Sequence, residues 1–448
     1  MAPPSLDDSP SRPASWGLAL LLLALSVVTG ADRARSEDAS EPAAAAPRER
    51  QVMVTFPLTR ATGRRAAGST RGGYAGPDGY TASTRTRLMM KRVAKQHGLR
   101  RISEWPMPAL KVLCVVFEVP KGHGVDAMLK TLRRDERVES AQRVHDFRVL
   151  EGDVEPSDEA YAELQHALTS LRVWETHPWS QGRGVTVAVV DTAVDLRHSD
   201  LSDSVRMARN FVDDAAPRSV HERHGTAVSG IVASAGNGVG TVGVAPATRL
   251  LALRACWEDD DAGRCDSFSL AKALSFVVEH RPDVVNLSLV GPRDPLLERL
   301  LERVIEEGSI VVTAHDATIG KDGFPTAVPG VLPVANAADL GGGRPHSSVL
   351  VAPGQEILAA VPGQSFDFVS GSSFAAAHVS GIAALLLEHS PDTSADELHD
   401  LLRRTSRDVD GSPSDGLPLI DACEALASVV EEMSCPSGDR VLASAGTS

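Results

Sequence analysis

From Val185 onward, short unbroken apolar runs alternate with segments of helical periodicity. Strands are predicted at Val185–Val190, Leu250–Leu253, Val284–Leu289 and Ile310–Thr313, and helices from His224 and over Ser267–His280 and Pro295–Glu307. Unbroken Val/Leu runs, as opposed to alternating ones, mark strands buried on both faces. The order therefore predicts a mostly parallel sheet with helices on both sides, a three-layer α/β domain. Ligands of such sheets bind beyond the carboxyl ends of the strands, so polar residues at strand ends and helix heads are the candidates for chemistry.

Three such residues stand out. Asp191 follows the first apolar strand directly, and His224 opens the helical segment H-G-T-A-V-S-G. Ser373 lies in V-S-G-S-S-F-A-A-A-H-V-S-G-I-A-A-L-L-L, Val369 to Leu387, which reads as a buried helix starting at the Gly. In the first turn of a helix the unpaired N–H groups and the dipole favour negative charge, as an oxyanion would need. A serine hydroxyl is a poor nucleophile at neutral pH until a base takes its proton, and an imidazole needs a fixed tautomer to act as that base. Asp, His and Ser in this order supply all three parts. Taken singly, each has a plainer reading as turn residue, structural histidine or helix cap.

The segments around them resemble those of the subtilisin-like serine proteases, the subtilase family. Asp191-Thr192-Ala193 is similar to the family's D-T-G, His224 to Gly230 to its H-G-T-H-V-A-G, and Gly371 to Gly381 to its G-T-S-M-A-A-P-H-V-x-G. G-V-A-P at Gly243 to Pro246 and V-V-N-L-S-L at Val284 to Leu289 match further segments, so the resemblance spans roughly Leu164 to Val429. It implies a subtilisin-like domain over residues 160–430 and a serine endopeptidase acting on protein or peptide substrates. Ser373 would be the nucleophile, His224 the general base and Asp191 the carboxylate that orients the imidazole. Ser288, Leu289, Val290 and Gly291 would form an extended edge on which a substrate backbone pairs.

The departures are informative. The family's oxyanion hole pairs the N–H of the nucleophile with an Asn side chain, whereas the corresponding segment here is S-I-V-V-T-A-H-D-A-T, with Ala317 at the Asn position. His315, Asp316 and Ala317 therefore mark the oxyanion region, and losing one such donor costs about 10²–10³ in turnover. The alternative that follows is a subtilase-fold pseudoprotease or peptide-binding protein. Val290 would narrow the primary side-chain pocket, and Asp316 at its wall would favour a basic residue before the scissile bond. Asp200 and Asn237 match positions of calcium ligands in the family, but a calcium site needs 6–8 oxygens. No cofactor is required by the chemistry, and structural Ca²⁺ is expected only if further ligands join these two.

The first third of the chain has a different character. Residues 51–150 hold 19 Lys and Arg against 8 Asp and Glu, while residues 151–448 have a net charge of −23. The basic block interleaves its Arg with apolar periodicity and has few aromatics, which argues against nucleic acid and for docking on the acidic remainder. Strand-like V-M-V-T-F and V-L-C-V-V-F, two helix patterns ending near His97 and Arg134, and short strands near Leu99–Ser103 and Val138–Val144 give the order β-α-β-β-α-β, a small ferredoxin-like α+β domain. In position and pattern it resembles the propeptide that chaperones and inhibits many members of the family. Self-cleavage is expected between Phe147 and Asp158. Before it, the 13-residue apolar run Trp16–Val28 is too short for a membrane span and is followed by small residues. Residues 1–31 therefore read as an export signal, 32–50 as a linker and 431–448 as a tail. Cys256 with Cys265, and Cys423 with Cys435, suit local disulfides in an exported chain, leaving Cys114 as a buried thiol.

Overall fold

The computed structural model describes residues 48–58, 82–149, 164–212, 222–238, 240–259, 262–319, 322–340, 346–408 and 418–436. The expected export signal, most of the linker, the end of the tail and nearly all of the expected cleavage zone lie outside the described residues.

The N-terminal module runs β1 (Gln51–Pro57), α1 (Thr84–His97), β2 (Arg100–Met107), β3 (Val112–Glu118), α2 (Val125–Leu132) and β4 (Ser140–Arg143), in the predicted order. Its antiparallel sheet has the strand order β2-β3-β1-β4. β1 and β3 are buried on both faces, and the period of two shows where each face goes. Val52, Val54 and Phe56 pack with Leu113, Val115 and Phe117 under the two helices. Met53, Cys114 and Val116 belong instead to a core cluster shared with Phe268, Ala271, Leu297 and Leu301 of the larger module. One sheet face thus covers helices and the other docks on the body, which is why both strands read as unbroken apolar runs.

After β5 (Asp146–Val149) and α3 (His166–Ser170), the chain enters the large sheet. Its strands are β6 (Thr186–Asp191), β7 (Val205–Asn210), β8 (Arg249–Arg254), β11 (Val284–Leu287), β13 (Ile310–Ala314), β14 (Val331–Asn336) and β15 (Leu350–Ala352). They lie in the order β15-β14-β13-β11-β6-β8-β7, and every pairing is parallel. On one face lie α4 (His224–Ala233) and α7 (Ser372–Leu387), packed with Val187 and Val189. On the other lie α5 (Ser267–His280) and α6 (Pro295–Glu306), packed with Ala188 and Val190. Successive residues of β6 serve opposite layers, as expected of a strand buried on both faces.

Helix starts follow their caps. Asp266 accepts from Ser269 N at 2.8 Å to open α5, and Asp294 accepts from Leu296 N and Leu297 N at 3.1 Å to open α6, with Pro295 in the first turn. α8 (Ala395–Thr405) begins with a capping box between Ser394 and Glu397, and α9 (Ala422–Ala427) ends the described helices. The short pair β16 (Ile357–Val361) and β17 (Ser365–Val369) leads into α7.

A second antiparallel sheet, in the order β12-β5-β10-β9, joins the two modules. Its other members are β9 (Cys256–Asp259), β10 (Ala262–Asp266) and β12 (Leu289–Val290). Cys256 and Cys265 form a disulfide across the β9–β10 hairpin, Cys423 bonds Cys435, and Cys114 is buried and free. Burial pushes the Cys114 thiol far up, with Asp294 adding to the shift.

Between the modules, the buried Asp294 carboxylate accepts from Gln142 Nε2 at 2.5 Å and Ser267 Oγ at 2.6 Å, and meets His145 Nδ1 at 3.2 Å. Gln142 and His145 come from the N-terminal module, so one side chain caps α6 and anchors that module at once. The expected match of a basic block to an acidic body accounts for little of this contact. The Arg pairs are few: Arg48 on Asp266 and Arg148 on Asp316 run in the expected direction, and Glu139 on Arg299 runs against it. The main surface is apolar. Among the described residues, no helix is long and apolar enough to cross a membrane.

Candidate active site

Asp191 ends β6, and His224 begins α4, which packs on the face of the sheet beside it. Asp191 Oδ1 accepts from Thr192 N at 2.6 Å and lies 2.8 Å from His224 Nδ1. Both side chains are buried, where a charge-assisted hydrogen bond is strong. That approach depends on Gly225, whose N–H donates to Thr192 Oγ1 at 2.9 Å. A Cβ on Gly225 would collide with the Thr192 carbonyl oxygen. The Gly after the His is what lets α4 start against the end of β6.

Ser373 is the second residue of α7 and is fully buried. The preceding Gly371 has φ 145° and ψ 161°, a conformation open essentially only to glycine. Phe374 lies with its ring 5.2 Å from the His224 ring, so the heads of α4 and α7 meet. Ser373 Oγ donates to the Ser288 carbonyl at 3.1 Å, and Ser288 Oγ donates to the Ser373 carbonyl at 3.0 Å. Asn286 Nδ2 in turn donates to Ser288 Oγ at 2.8 Å. Asp191 is thus in contact with His224 and Ser373 with Ser288, and the Phe374–His224 ring contact brings the heads of α4 and α7 together.

The edge expected at Ser288 to Gly291 carries a peptide strand. Leu289 and Val290 pair antiparallel with Val149 and Arg148 of β5, whose other side pairs with Arg264, Cys265 and Asp266 of β10. Phe147, 1% exposed, sits edge-on to Phe324 at 5.6 Å and over Gly291. The site thus holds a segment of its own chain between two edges.

His315, Asp316 and Ala317 follow β13. Burial lowers the His315 pKa, against the opposing pull of Asp316. Asp316 accepts from Thr318 N at 2.7 Å and Thr318 Oγ at 2.6 Å, and pairs with Arg148 at 3.3 Å. Burial would raise its pKa, but the Thr318 bonds and Arg148 hold it below the usual carboxylate range. Asp316 therefore faces a basic side chain of the bound strand, while Ala317 is exposed and offers no side-chain donor.

Asp200 and Asn237 both hydrogen-bond within their own loop region. Asp200 Oδ2 accepts from Thr241 N at 3.0 Å and Thr241 Oγ1 at 3.2 Å, and Asn237 Nδ2 donates to Ser199 O at 3.4 Å. Among the described residues, no group of three or more His, Cys, Asp or Glu is placed to hold a metal ion.

Two carboxylates escaped the sequence reading. Glu222 accepts from Ala193 N at 2.7 Å and from Arg254 Nε at 2.8 Å, a buried pair bracing the turn after Asp191. Glu258 accepts from Arg223 N at 2.6 Å and His224 N at 2.8 Å. The one available signal was Arg254, a cation directly after the apolar run Leu250–Leu253.

Comparison with known proteins points to one family. Residues 182–418 match the family described as "Subtilase family". The major intracellular serine protease of Bacillus subtilis (strain 168) is 29% identical over 247 residues, 50% of this chain and 77% of that protein. The thermophilic serine proteinase of Bacillus sp. (strain AK1) is 28% identical over 329 residues, 71% and 80% of the two chains. The intracellular serine protease of Paenibacillus polymyxa is 30% identical over 280 residues, 56% and 85%. Among solved structures, fervidolysin from Fervidobacterium pennivorans superposes with a TM-score of 0.62 at 22% identity, over 84% of this chain and 60% of that one. At that identity the likeness speaks to the fold.

Proposed function

The chain belongs to the subtilase family, and from that membership we propose that it is a serine endopeptidase using Ser373, His224 and Asp191, produced as a self-processed zymogen. The observation that carries the proposal is the 2.8 Å contact of His224 Nδ1 with Asp191, with the first turn of α7 packed against the same imidazole. In the reaction, Ser373 Oγ bonds to the scissile carbonyl carbon while its proton passes to His224 Nε2. The C–N bond then breaks and the amine leaves with that proton. A water deprotonated by His224 next attacks the acyl-serine, and Ser373 regains its hydrogen. Asp191 holds the tautomer that keeps Nε2 open as the base. The oxyanion is held by N–H groups at the head of α7 and by a donor from the region of His315 to Ala317.

The zymogen part rests on β5. A strand that lies antiparallel to both β12 and β10, with Phe147 buried beside Gly291, occupies the place of a substrate and blocks it until cut. Residues 51–150 are thus the inhibitory domain, and cleavage falls between Phe147 and Asp158. Export is supported by the two disulfides, which persist in oxidising compartments. We propose activity without a metal, since the Asp200 oxygen aimed at Thr241 already accepts two hydrogens; a chelator should leave the rate unchanged.

The test is a fluorophosphonate probe on the purified chain after removal of the N-terminal domain. Labelling that vanishes in Ser373→Ala supports the proposal, and the mature N-terminus should fall between residues 148 and 158. A second reading, a peptide-binding pseudoprotease, is favoured by Ala317 and by the donation of Ser373 Oγ to the Ser288 carbonyl. It predicts no labelling after trimming, with tight binding of an extended peptide.

A further inference from the structure

The β9–β10 hairpin does two things at once. One strand, β10, pairs with the strand that fills the cleft, through Arg264, Cys265 and Asp266. The edge strand, β9, carries Glu258, whose Oε1 accepts from Arg223 N at 2.6 Å and His224 N at 2.8 Å. The residue preceding α4, Arg223, makes no side-chain cap bond of its own, so these amides at the head of α4 take their acceptor from a hairpin 35 residues further along the chain. The hairpin leaves the sheet at the same point, where Ala255 N donates to Asp191 O at 2.9 Å. Cys256 and Cys265 stand opposite one another in the hairpin register and are joined by the disulfide, both fully buried.

We infer that Glu258 is a positioning residue for His224, and that the Cys256–Cys265 disulfide holds the hairpin so that the peptide edge and the cap of the catalytic base move as one unit. The inference rests on the reading of His224 as general base. A carboxylate on the first amides of a helix makes charge-assisted bonds and complements the dipole, so it fixes where the helix begins. Here the first residue is the base itself, and its ring reaches Asp191 and the head of α7 from that fixed backbone. Among the described residues, other charges at the helix head have partners. Arg223 pairs with Asp367 at 2.7 Å, Glu222 with the buried Arg254, and Asp191 with the imidazole. Glu258 therefore adds a negative charge beside the imidazole as well as a fixed backbone.

The experiment uses the self-processed chain and a quenched peptide spanning residues 143–155 of its own sequence, with kcat and KM followed from pH 5 to 9. Glu258→Ala should lower kcat about tenfold to a hundredfold, the scale of a misplaced catalytic group, with KM within a factor of about two. Glu258→Gln keeps an acceptor and loses the charge. It should restore most of the plateau kcat while moving the acid limb of kcat/KM to lower pH, because a lone helix cap without influence on the base would leave that limb in place. Cys256→Ser/Cys265→Ser should lose kcat to the same extent as Glu258→Ala, and adding Glu258→Ala to it should cause no further loss. Unchanged kcat and acid limb in Glu258→Ala, or losses that multiply in the combined variant, overturn the inference. If Glu258→Ala does not fold, Glu258→Gln decides alone, and an unmoved acid limb overturns it. A wild-type chain that cleaves nothing sinks the protease reading instead, which keeps the two failures apart.

Discussion

The ring of Phe147 rests on Gly291, close enough that a methyl group at Gly291 would collide with its Cδ1. The contact ties the last described strand of the N-terminal module to the edge of the cleft, and Phe324 closes the ring in from the side at 5.6 Å. Removing a buried Phe side chain costs about 3–5 kcal/mol. In the uncut Ser373→Ala background, Phe147→Ala should lower the melting temperature, and Gly291→Ala should do so by excluding the same ring. If both variants melt like the parent, β5 is not held in the cleft by this contact.

Gly225 is the second test of close approach. Its Cβ would fall on the Thr192 carbonyl oxygen, which belongs to backbone and cannot swing away. Gly225→Ala must push α4 from the end of β6 and lengthen the 2.8 Å contact between His224 and Asp191. Turnover should fall about 10²-fold, as for a catalytic group displaced by an ångström, while KM changes little. Steady-state kinetics on the processed chain would show it.

Strands buried on both faces and their order were readable because unbroken Val/Leu runs leave few alternatives, and β6, β11 and β13 fall where those runs stand. The placement of Asp191, His224 and Ser373 was readable because each has a helix head or strand end written beside it. β5 was not, since D-F-R-V has no period of its own and becomes a strand only by lying between two edges. The β9–β10 hairpin was hidden for a similar reason. W-E-D-D-D-A-G-R has the composition of a turn, and nothing local says that Glu258 reaches back to His224. Net charge was a coarse guide to the docking because it averages over whole surfaces, whereas most of the contact is the apolar face of β1 and β3 around Asp294.

Asp294 makes the docking sensitive to acid. Burial pushes its pKa up, but bonds from His145, Ser267, Gln142 and Leu297 more than offset this and hold it below the ordinary carboxylate value. A depressed folded pKa means that the unfolded chain binds the proton more readily. The stabilisation is therefore complete above the unfolded value of about 3.9 and is lost as pH falls through the lower folded value. Asp294→Asn in the Ser373→Ala background should be less stable than its parent by a constant amount above about pH 5. The gap should close in stronger acid. A gap independent of pH would mean that the charge of Asp294 contributes nothing.

His378 acts in a higher window. It lies in α7 five residues beyond Ser373, fully buried, and burial lowers its pKa from the ordinary 6.5 to about 4, with the Phe374 backbone pulling weakly the other way. The folded state therefore resists a proton that the unfolded chain accepts from pH 6.5 downward. Stability is full above 6.5 and declines as pH falls toward 4, by about 3 kcal/mol across the window. His378→Gln cannot take up that proton in either state, so its stability should be flatter over the same range. Urea unfolding of Ser373→Ala with and without His378→Gln, between pH 4 and 8, isolates the contribution as the difference between two curves. A difference that stays constant from 8 to 4 would show that His378 titrates alike in both states, and would remove burial of this imidazole as a cause of acid sensitivity in the helix that carries Ser373.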